Sequence, residues 1–305
     1  MEHIYIPTKQ SNLSFYQAVP LYFQGKDRKF VLYKPAGKRL DNIRIDQGSC
    51  PEKLFIKKSD ELKGIREVQN AYHQQLKSDL NTNSHLKIKN TLIKIVEEAF
   101  SRPISGILEG LAITVNILVN ICDKESNLAR NLVLVPHDNY NIILHSVDVM
   151  ALAIDFCFKE QFSTAKTKLI GLSALLHDVG KTKINPKVIK AANKLDDDEF
   201  NEFQTHTTIG YQLTSKCKFS HPDVKMTALQ HHERTDGSGY PKKLTRISKT
   251  AQIVGLIDCY ESLTKDDRAY RNALDSLRAL SLLKKEVEAG KFNRKIFDRF
   301  VYSLR

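Results

Sequence analysis

The first 85 or so residues alternate between short apolar segments and turn-rich stretches. The apolar segments are FYQAVPLYFQ, KFVLYK and KLFIKK. Their partial alternation, with aromatic and β-branched residues, predicts β-strands. A helix is predicted from about Ser59 to Leu80, because Ser59 can act as its N-cap and two acidic residues follow in the first turn. Residues 1–85 are therefore predicted to form a small α+β domain, whose role the sequence does not specify.

From about Leu86 onward the apolar residues recur at three- and four-residue steps, which is typical of amphipathic helices. The first such residues are Ile93, Val96, Phe100, Ile104, Leu108, Leu111, Val115 and Leu118. Further helices are predicted near residues 138–160, 163–178, 197–216, 221–233, 247–265, 272–289 and 293–304. The predicted fold is therefore mainly α, with residues 86–134 as a helical connector and residues 135–305 as the principal helical domain.

Composition narrows the class of protein. Hydrophobic residues make up 41% and charged residues 27% of the 305 residues, as in ordinary folded chains. The longest apolar-rich run, from Ile104 to Ile121, is interrupted by five polar residues, so a buried helix is expected rather than a membrane span. The N-terminus lacks the pattern of a secretory signal, and the five scattered cysteines contain no CxxC pair. We therefore expect a cytoplasmic protein.

The net charge of +12 is spread along most of the chain rather than concentrated in one segment. A nucleic-acid binder usually concentrates positive charge on one face, so a nucleic-acid polymer is not an expected partner. Two interpretations of the charge remain, a solvated surface and attraction of small anionic substrates.

Five of the ten histidines and two aspartates interrupt mostly apolar stretches of the predicted helices. They are His145, His177, Asp178, His206, His231, His232 and Asp258. A single histidine in an apolar helix is more often a hydrogen-bonded core residue than a ligand. Seven such groups, each costing about 1–3 kcal/mol if buried without a partner, are better explained by one shared metal centre. Imidazoles and carboxylates suit iron, manganese or zinc.

Two motifs make the chain similar to a known family. HDVGK at His177–Lys181 and HHERTDGSGYP at His231–Pro241 resemble the HD-GYP subgroup of the HD phosphohydrolase superfamily. The resemblance covers roughly Val135 to the C-terminus, a little over half the chain. It implies an HD-type helical bundle, with residues 135–305 as the HD-GYP catalytic domain, a centre of two or three metals, and cyclic di-GMP as the substrate.

The resemblance also implies roles for individual residues. One metal would be held by His145, His177, Asp178 and Asp258, and the other by Asp178, His206, His231 and His232. Asp178 would bridge the two metals, which could then share a water of lowered pKa as the nucleophile. Asp178 and Lys181 are the expected catalytic residues. The expected substrate contacts are Lys181, Tyr240, Arg268 and Arg271. Gly237 and Gly239 are expected to allow a tight turn with positive φ that presents the tyrosine.

The sequence departs from the family pattern in three places. Asn141 occupies the position where some members carry a glutamate that binds a third metal, so two divalent metals are predicted, with iron expected first and manganese second. Ala269 replaces the proline of the usual RPYR or RPYK segment, and the stretch from Asp258 to Arg271 has one extra residue. The N-terminal region resembles no regulatory domain that we can name.

Three functions are compatible with these residues. The first is hydrolysis of cyclic di-GMP, with linear pGpG as the product. The second is a catalytically weak module that binds a cyclic dinucleotide or recruits a signalling protein, which the altered segment around Ala269 motivates. The third keeps the chemistry but takes another cyclic dinucleotide or nucleotide. The sequence does not specify the oligomeric state or the signal sensed.

Overall fold

The computed structural model describes residues 4–40, 50–82, 84–122, 127–137, 141–189, 191, 194–219, 221–265 and 273–305. The chain divides into two compact units, Met1–Ser78 and Asp79–Arg305. Within the described residues there are thirteen α-helices and four short β-strands, which confirms the prediction of a mainly α fold. The division into segments 1–85, 86–134 and 135–305 stays a prediction.

The first unit contains one four-stranded antiparallel sheet followed by a long helix. Its elements are β1 (Tyr5–Pro7), β2 (Leu21–Gln24), β3 (Phe30–Lys34), β4 (Phe55–Lys57) and α1 (Glu61–Leu80). The strand order is β1-β4-β2-β3, and Ile6 lies opposite Ile56 in the β1–β4 pair. Leu21, Leu54, Val68 and Tyr72 are buried in this unit, because one face of the sheet and one stripe of α1 are apolar.

Two local predictions for this unit were wrong. In the segment FYQAVPLYFQ, only the residues from Leu21 onward form a β-strand. The backbone N–H groups of Ala18 and Val19 instead donate to the Glu67 carboxylate, at 2.6 and 3.2 Å. Pro20 also lacks the N–H that a central strand needs. The helix runs from Glu61 to Leu80, within two residues of its predicted start, but Ser59 is not its N-cap, since the residues from Lys58 to Asp60 form a 3₁₀ turn.

The second unit is a helical bundle. Its helices are α2 (His85–Ser101), α3 (Ser105–Leu108), α4 (Gly110–Cys122), α5 (Leu128–Leu134), α6 (Ile142–Lys159), α7 (Thr164–Leu176), α8 (Pro186–Ile189), α9 (Asp197–Ser215), α10 (Asp223–Gln230), α11 (Lys249–Thr264), α12 (Ser276–Glu288) and α13 (Arg294–Ser303). Helix α6 lies at the centre, because every residue from Leu144 to Cys157 is buried. Helices α2, α5, α7 and α11 pack around it.

Polar caps set where the helices of the bundle begin. Asn141, Ser163, Ser248 and Asn293 each accept a hydrogen bond from a backbone N–H group in the first turn of the following helix. Asp196 and Glu199 form a reciprocal capping box at the start of α9. These side chains satisfy donors that a helix leaves unpaired, and each helix starts within four residues of its predicted position.

One segment among the described residues, Ser105–Cys122, has the length and composition of a membrane span. Half of that window is buried inside the structure, and core helices of soluble proteins pass the same test. It carries helices α3 and α4, which are buried at Leu108, Leu111 and Leu118.

Candidate metal centre

The seven predicted ligands converge from five helices of the second unit. His145 lies in α6, His177 and Asp178 directly follow α7, and His206 lies in α9. His231 and His232 directly follow α10, and Asp258 lies in α11. Ligand atoms lie within 4.8 Å of one another in three overlapping groups. These groups are Asp178, His206, His231 and His232; His145, His177 and Asp178; and His177, His231 and Asp258. Their role as ligands stays a prediction.

Asp178 lies between two pairs of histidines. Its Oδ2 atom is 3.4 Å from the Nε2 atoms of both His145 and His177. Its Oδ1 atom is 3.4 Å from Nε2 of His206 and 3.5 Å from Nε2 of His231. Each carboxylate oxygen therefore faces a different pair of imidazoles, which is the arrangement that a carboxylate bridging two cations needs.

Four of the imidazoles use the Nδ1 atom to hold the ring in place. The acceptors are Glu261 Oε2 for His145 (2.6 Å), and the backbone carbonyls of Ala174 for His177 (2.6 Å), Phe203 for His206 (2.6 Å) and Thr227 for His231 (3.0 Å). Because carbonyl and carboxylate oxygens only accept, each Nδ1 atom carries the proton. The four Nε2 atoms therefore present lone pairs to the centre.

This donor set fits divalent cations. Nε2 of His145 lies 3.2 Å from Nε2 of His177, and Nε2 of His206 lies 3.4 Å from Nε2 of His231, so lone pairs face each other in both cases. Within the described residues, Nε2 of His232 is buried without a hydrogen-bond partner. A cation among these atoms would remove the repulsion and satisfy the buried nitrogen.

Neighbouring charge keeps Asp178 ionised, and burial favours the neutral form of His206, His231 and His232. Burial by itself raises a carboxyl pKa, yet the ammonium group of Lys181 holds the pKa of Asp178 well below its usual range. Burial lowers the pKa of His206 to about 3. It also lowers the pKa of His231, and it lowers the pKa of His232 well below the usual value. These are the protonation states that metal ligands need.

Gly180 allows the close approach that joins the two halves of the centre. The 3₁₀ turn Val179–Lys183 packs directly against α9. A Cβ atom at Gly180 would lie 1.9 Å from the carbonyl oxygen of His206 and 2.6 Å from the backbone nitrogen of Gly210. No side chain fits there, so the glycine sets how close Asp178 comes to His206.

The loop after α10 carries the GYP motif against the centre. The ring of Tyr240 lies 4.6 Å from that of His232, and its peptide bond to Pro241 is cis. Positive φ is confirmed at Gly237, where φ is 80°. The prediction of positive φ is wrong for Gly239. A glycine is needed there for a different reason, because a Cβ atom would lie 2.4 Å from the backbone nitrogen of Arg234.

The structure describes some of the other predicted site residues and not others. Lys181 is mostly buried and its ammonium group contacts Oδ2 of Asp178 and lies 5.2 Å from the centre of the Phe203 ring. Arg268 and Arg271 lie outside the described residues. The Oδ1 atom of Asn141 accepts hydrogen bonds from the first turn of α6, at 2.9 and 3.1 Å.

Sequence reasoning missed two glutamates beside the centre. Glu233, the last residue of HHE, accepts hydrogen bonds from the backbone nitrogens of Lys242 and Leu244, at 2.7 and 2.8 Å, and so shapes the GYP loop. Glu261 binds His145 and lies three residues after Asp258, on the same face of α11. That spacing is the one sequence signal for Glu261, because its partner is 116 residues away in the chain.

Comparison with known proteins agrees with this geometry. A family model described as the HD domain matches residues 115–296, more than half of the chain. The chain belongs to the HD domain family. HD-domain phosphohydrolases use divalent metals, and this chain has a His/Asp cluster that could hold them. The resemblance to the HD-GYP subgroup is confirmed as well.

Curated relatives of this HD domain protein are phosphodiesterases. Cyclic di-GMP phosphodiesterase PA4108 from Pseudomonas aeruginosa is 30% identical over 186 residues, which are 59% of this chain and 44% of that protein. The 3'3'-cGAMP-specific phosphodiesterase 1 from Vibrio cholerae is 29% identical over 159 residues, 52% of this chain and 36% of that protein. The chain thus spans less than half the length of these relatives.

One solved structure shares the fold over nearly the whole chain. Bd1817, an HDG"Y"P protein from Bdellovibrio bacteriovorus, superposes with a TM-score of 0.64 at 19% identity. The match covers 97% of this chain and 98% of that one. At this identity the likeness concerns the fold alone.

Proposed function

We propose that this protein is a metal-dependent phosphodiesterase that hydrolyses cyclic di-GMP to linear pGpG. The observation that carries the proposal is the position of Asp178, with one carboxylate oxygen facing each pair of imidazoles and a lysine bound to the same carboxylate. Relatives named cyclic di-GMP phosphodiesterases support the choice of substrate.

Two divalent cations would be held, one by His145, His177, Asp178 and Asp258, and the other by Asp178, His206, His231 and His232. Iron is proposed first and manganese second, because imidazole and carboxylate ligands suit both. When bound, such cations supply a water of lowered pKa and positive charge for the phosphate oxygens. The second proposed set coincides with one four-residue group of ligand atoms in the structure.

The surrounding residues would bind and orient the nucleotide. Lys181 can offer its ammonium group to a nonbridging phosphate oxygen, because it already lies beside Asp178 and retains some exposure. Tyr240 can contact the base or phosphate from the side of His232. Burial raises the pKa of the Tyr240 hydroxyl, which therefore stays a hydrogen-bond donor. Arg268 and Arg271 remain proposed contacts.

The proposed product is pGpG because the third-metal position is occupied by Asn141. A carboxamide is a weaker ligand than a carboxylate, and this one is engaged in capping α6. A centre of two metals supports the first cleavage, and we expect slow or absent conversion of pGpG to GMP.

The test is an anaerobic incubation of iron-loaded or manganese-loaded protein with cyclic di-GMP, with products separated by chromatography. We expect pGpG to accumulate and the His177→Ala variant to be inactive. Absence of turnover with both metals, in protein shown to contain them, would contradict the proposal.

A second candidate substrate is 3'3'-cGAMP, because a relative at 29% identity is named as specific for it. Competition between the two dinucleotides in the same assay separates these substrates. Binding of either one without hydrolysis would instead favour the weakly catalytic module that recruits a signalling partner. A cytoplasmic location, and the expectation of no nucleic-acid polymer or membrane partner, stay predictions.

A further inference from the structure

His145 is held differently from the three other imidazoles whose Nδ1 contacts are described above. The rings of His177, His206 and His231 donate to backbone carbonyls three or four residues earlier in the chain. His145 donates to the Glu261 side chain, which comes from a different helix. The orientation of this one ring therefore depends on a side chain that can be substituted.

The Glu261 contact also fixes the face that His145 presents to the centre. Oε2 of Glu261 lies 2.6 Å from Nδ1, and both residues are buried. Because the carboxylate accepts a hydrogen bond from Nδ1–H, the lone pair lies on Nε2, which is 3.1 Å from Oδ1 of Asp258 and 3.4 Å from Oδ2 of Asp178. We propose that Glu261 is a positioning residue that sets the affinity of the metal ion on the His145 side, while the other ion is independent of it.

A second contact between the same two helices supports this assignment. Asp148 lies three residues after His145 in α6, and Lys265 lies four residues after Glu261. The Asp148 carboxylate binds Nζ of Lys265 at 3.0 Å and Nζ of the fully buried Lys89 at 2.8 Å. The histidine–glutamate contact is therefore one of several polar contacts that hold α6 and α11 in register.

The buried charges also match one another. Glu261 has no exposed surface, and a carboxylate removed from water is costly unless positive charge lies near it. Lys89 supplies positive charge near Glu261, and Lys89 and Lys265 both bind Asp148. A side chain that only packs in this position needs no charge. A side chain that orients a metal-binding imidazole needs a charged acceptor for the ring N–H group.

The inference rests on the proposed metal centre and is tested by metal content, without substrate. Wild-type protein and the Glu261→Gln variant are loaded anaerobically with Mn²⁺, and the bound metal is titrated by calorimetry and counted by elemental analysis. We expect two ions in the wild type. In the variant, one ion should bind about 10–100-fold more weakly and the other with unchanged affinity.

Further variants identify the affected ion. Glu261→Gln combined with His145→Gln should weaken binding no more than His145→Gln alone, because both changes act on one ion. Glu261→Gln combined with His206→Gln should remove tight binding of both ions. Glu288→Gln, on the exposed surface of α12, is the matched control and should bind two ions as the wild type does. Glu261→Asp, which keeps the charge but is too short to reach Nδ1, should also weaken one ion only.

The outcomes separate the two proposals. Wild-type protein that binds no metal overturns both the metal centre and the role of Glu261. Two ions in the wild type, with wild-type affinities in Glu261→Gln, overturn the role of Glu261 alone. Equal weakening of both ions, or circular dichroism showing that both Glu261 variants are unfolded, assigns the residue to packing and also overturns the inference.

Discussion

Replacing Gly180 by alanine should separate the two halves of the metal centre. An added Cβ atom would lie 1.9 Å from the carbonyl oxygen of His206, although real Cβ atoms essentially never approach other heavy atoms within 3.0 Å. The obstructing atoms belong to the backbone of α9, so no side chain can rotate away. The 3₁₀ turn carrying Lys181 and the helix carrying His206 must therefore move apart by roughly 1 Å, a displacement that can cost about 100-fold in activity.

The same displacement has a cost in stability. Overpacking of a core costs about 1–3 kcal/mol, which corresponds to a fall in Tm of roughly 2–12 °C for a unit of this size. Circular dichroism of the metal-free Gly180→Ala variant measures this fall, and titration with Mn²⁺ measures the loss of metal affinity. The strongest effect should fall on the ion that His206 would hold.

Gly171→Ala is the matched control within α7. A Cβ atom there would lie 3.0 Å from Cγ1 of Ile154 and 3.2 Å from Cγ1 of Val115, so these side chains need to shift by only a few tenths of an ångström, and alanine favours a helix over glycine by about 1 kcal/mol, which offsets the tight contacts. We expect this variant to keep its metal and nearly all of its stability. Wild-type metal affinity and turnover in Gly180→Ala would refute the reasoning that this contact sets the spacing of the centre.

Three further predictions follow from the buried charges. Asp178→Asn should lose both ions, since one side chain faces both imidazole pairs; elemental analysis showing one ion retained would contradict a bridging role. Lys89→Met should lower the free energy of unfolding by about 3–5 kcal/mol in urea, because Asp148 loses one of its two lysines; the exposed Lys94→Met variant is the control. Removal of metal by a chelator should lower Tm, and saturation at about 100 times Kd should restore about 2.7 kcal/mol per site; an unchanged Tm would argue against metal in the folded state.

The sequence predicts the helical bundle well because its signals are local. Ser163, Ser248 and Asn293 mark helix starts through their own side chains, and the apolar stripes identify the helices that follow. The same local reasoning places His177 and Asp178 at the end of a helix, where the structure has them. Strand β1, with three residues from Tyr5 to Pro7, is too short to produce a periodic pattern.

The contacts that the sequence does not reveal are those between distant segments. Lys89 reads as a surface lysine in LKIKN, yet it is fully buried, because its partner Asp148 is brought to it by the packing of α2 on α6. Glu261 gives no sign of its bond to His145 apart from its spacing from Asp258. Such pairs depend on the tertiary arrangement, which periodicity within one helix cannot specify.

Metal content and turnover, measured together on anaerobically purified protein, test the central claim most directly. For the wild type, we predict two divalent ions per chain and conversion of cyclic di-GMP to pGpG. For His177→Ala, we predict loss of the metal ion on the His177 side and loss of the activity. Protein that is folded by circular dichroism but takes up no divalent metal, from iron or from manganese, would contradict the claim.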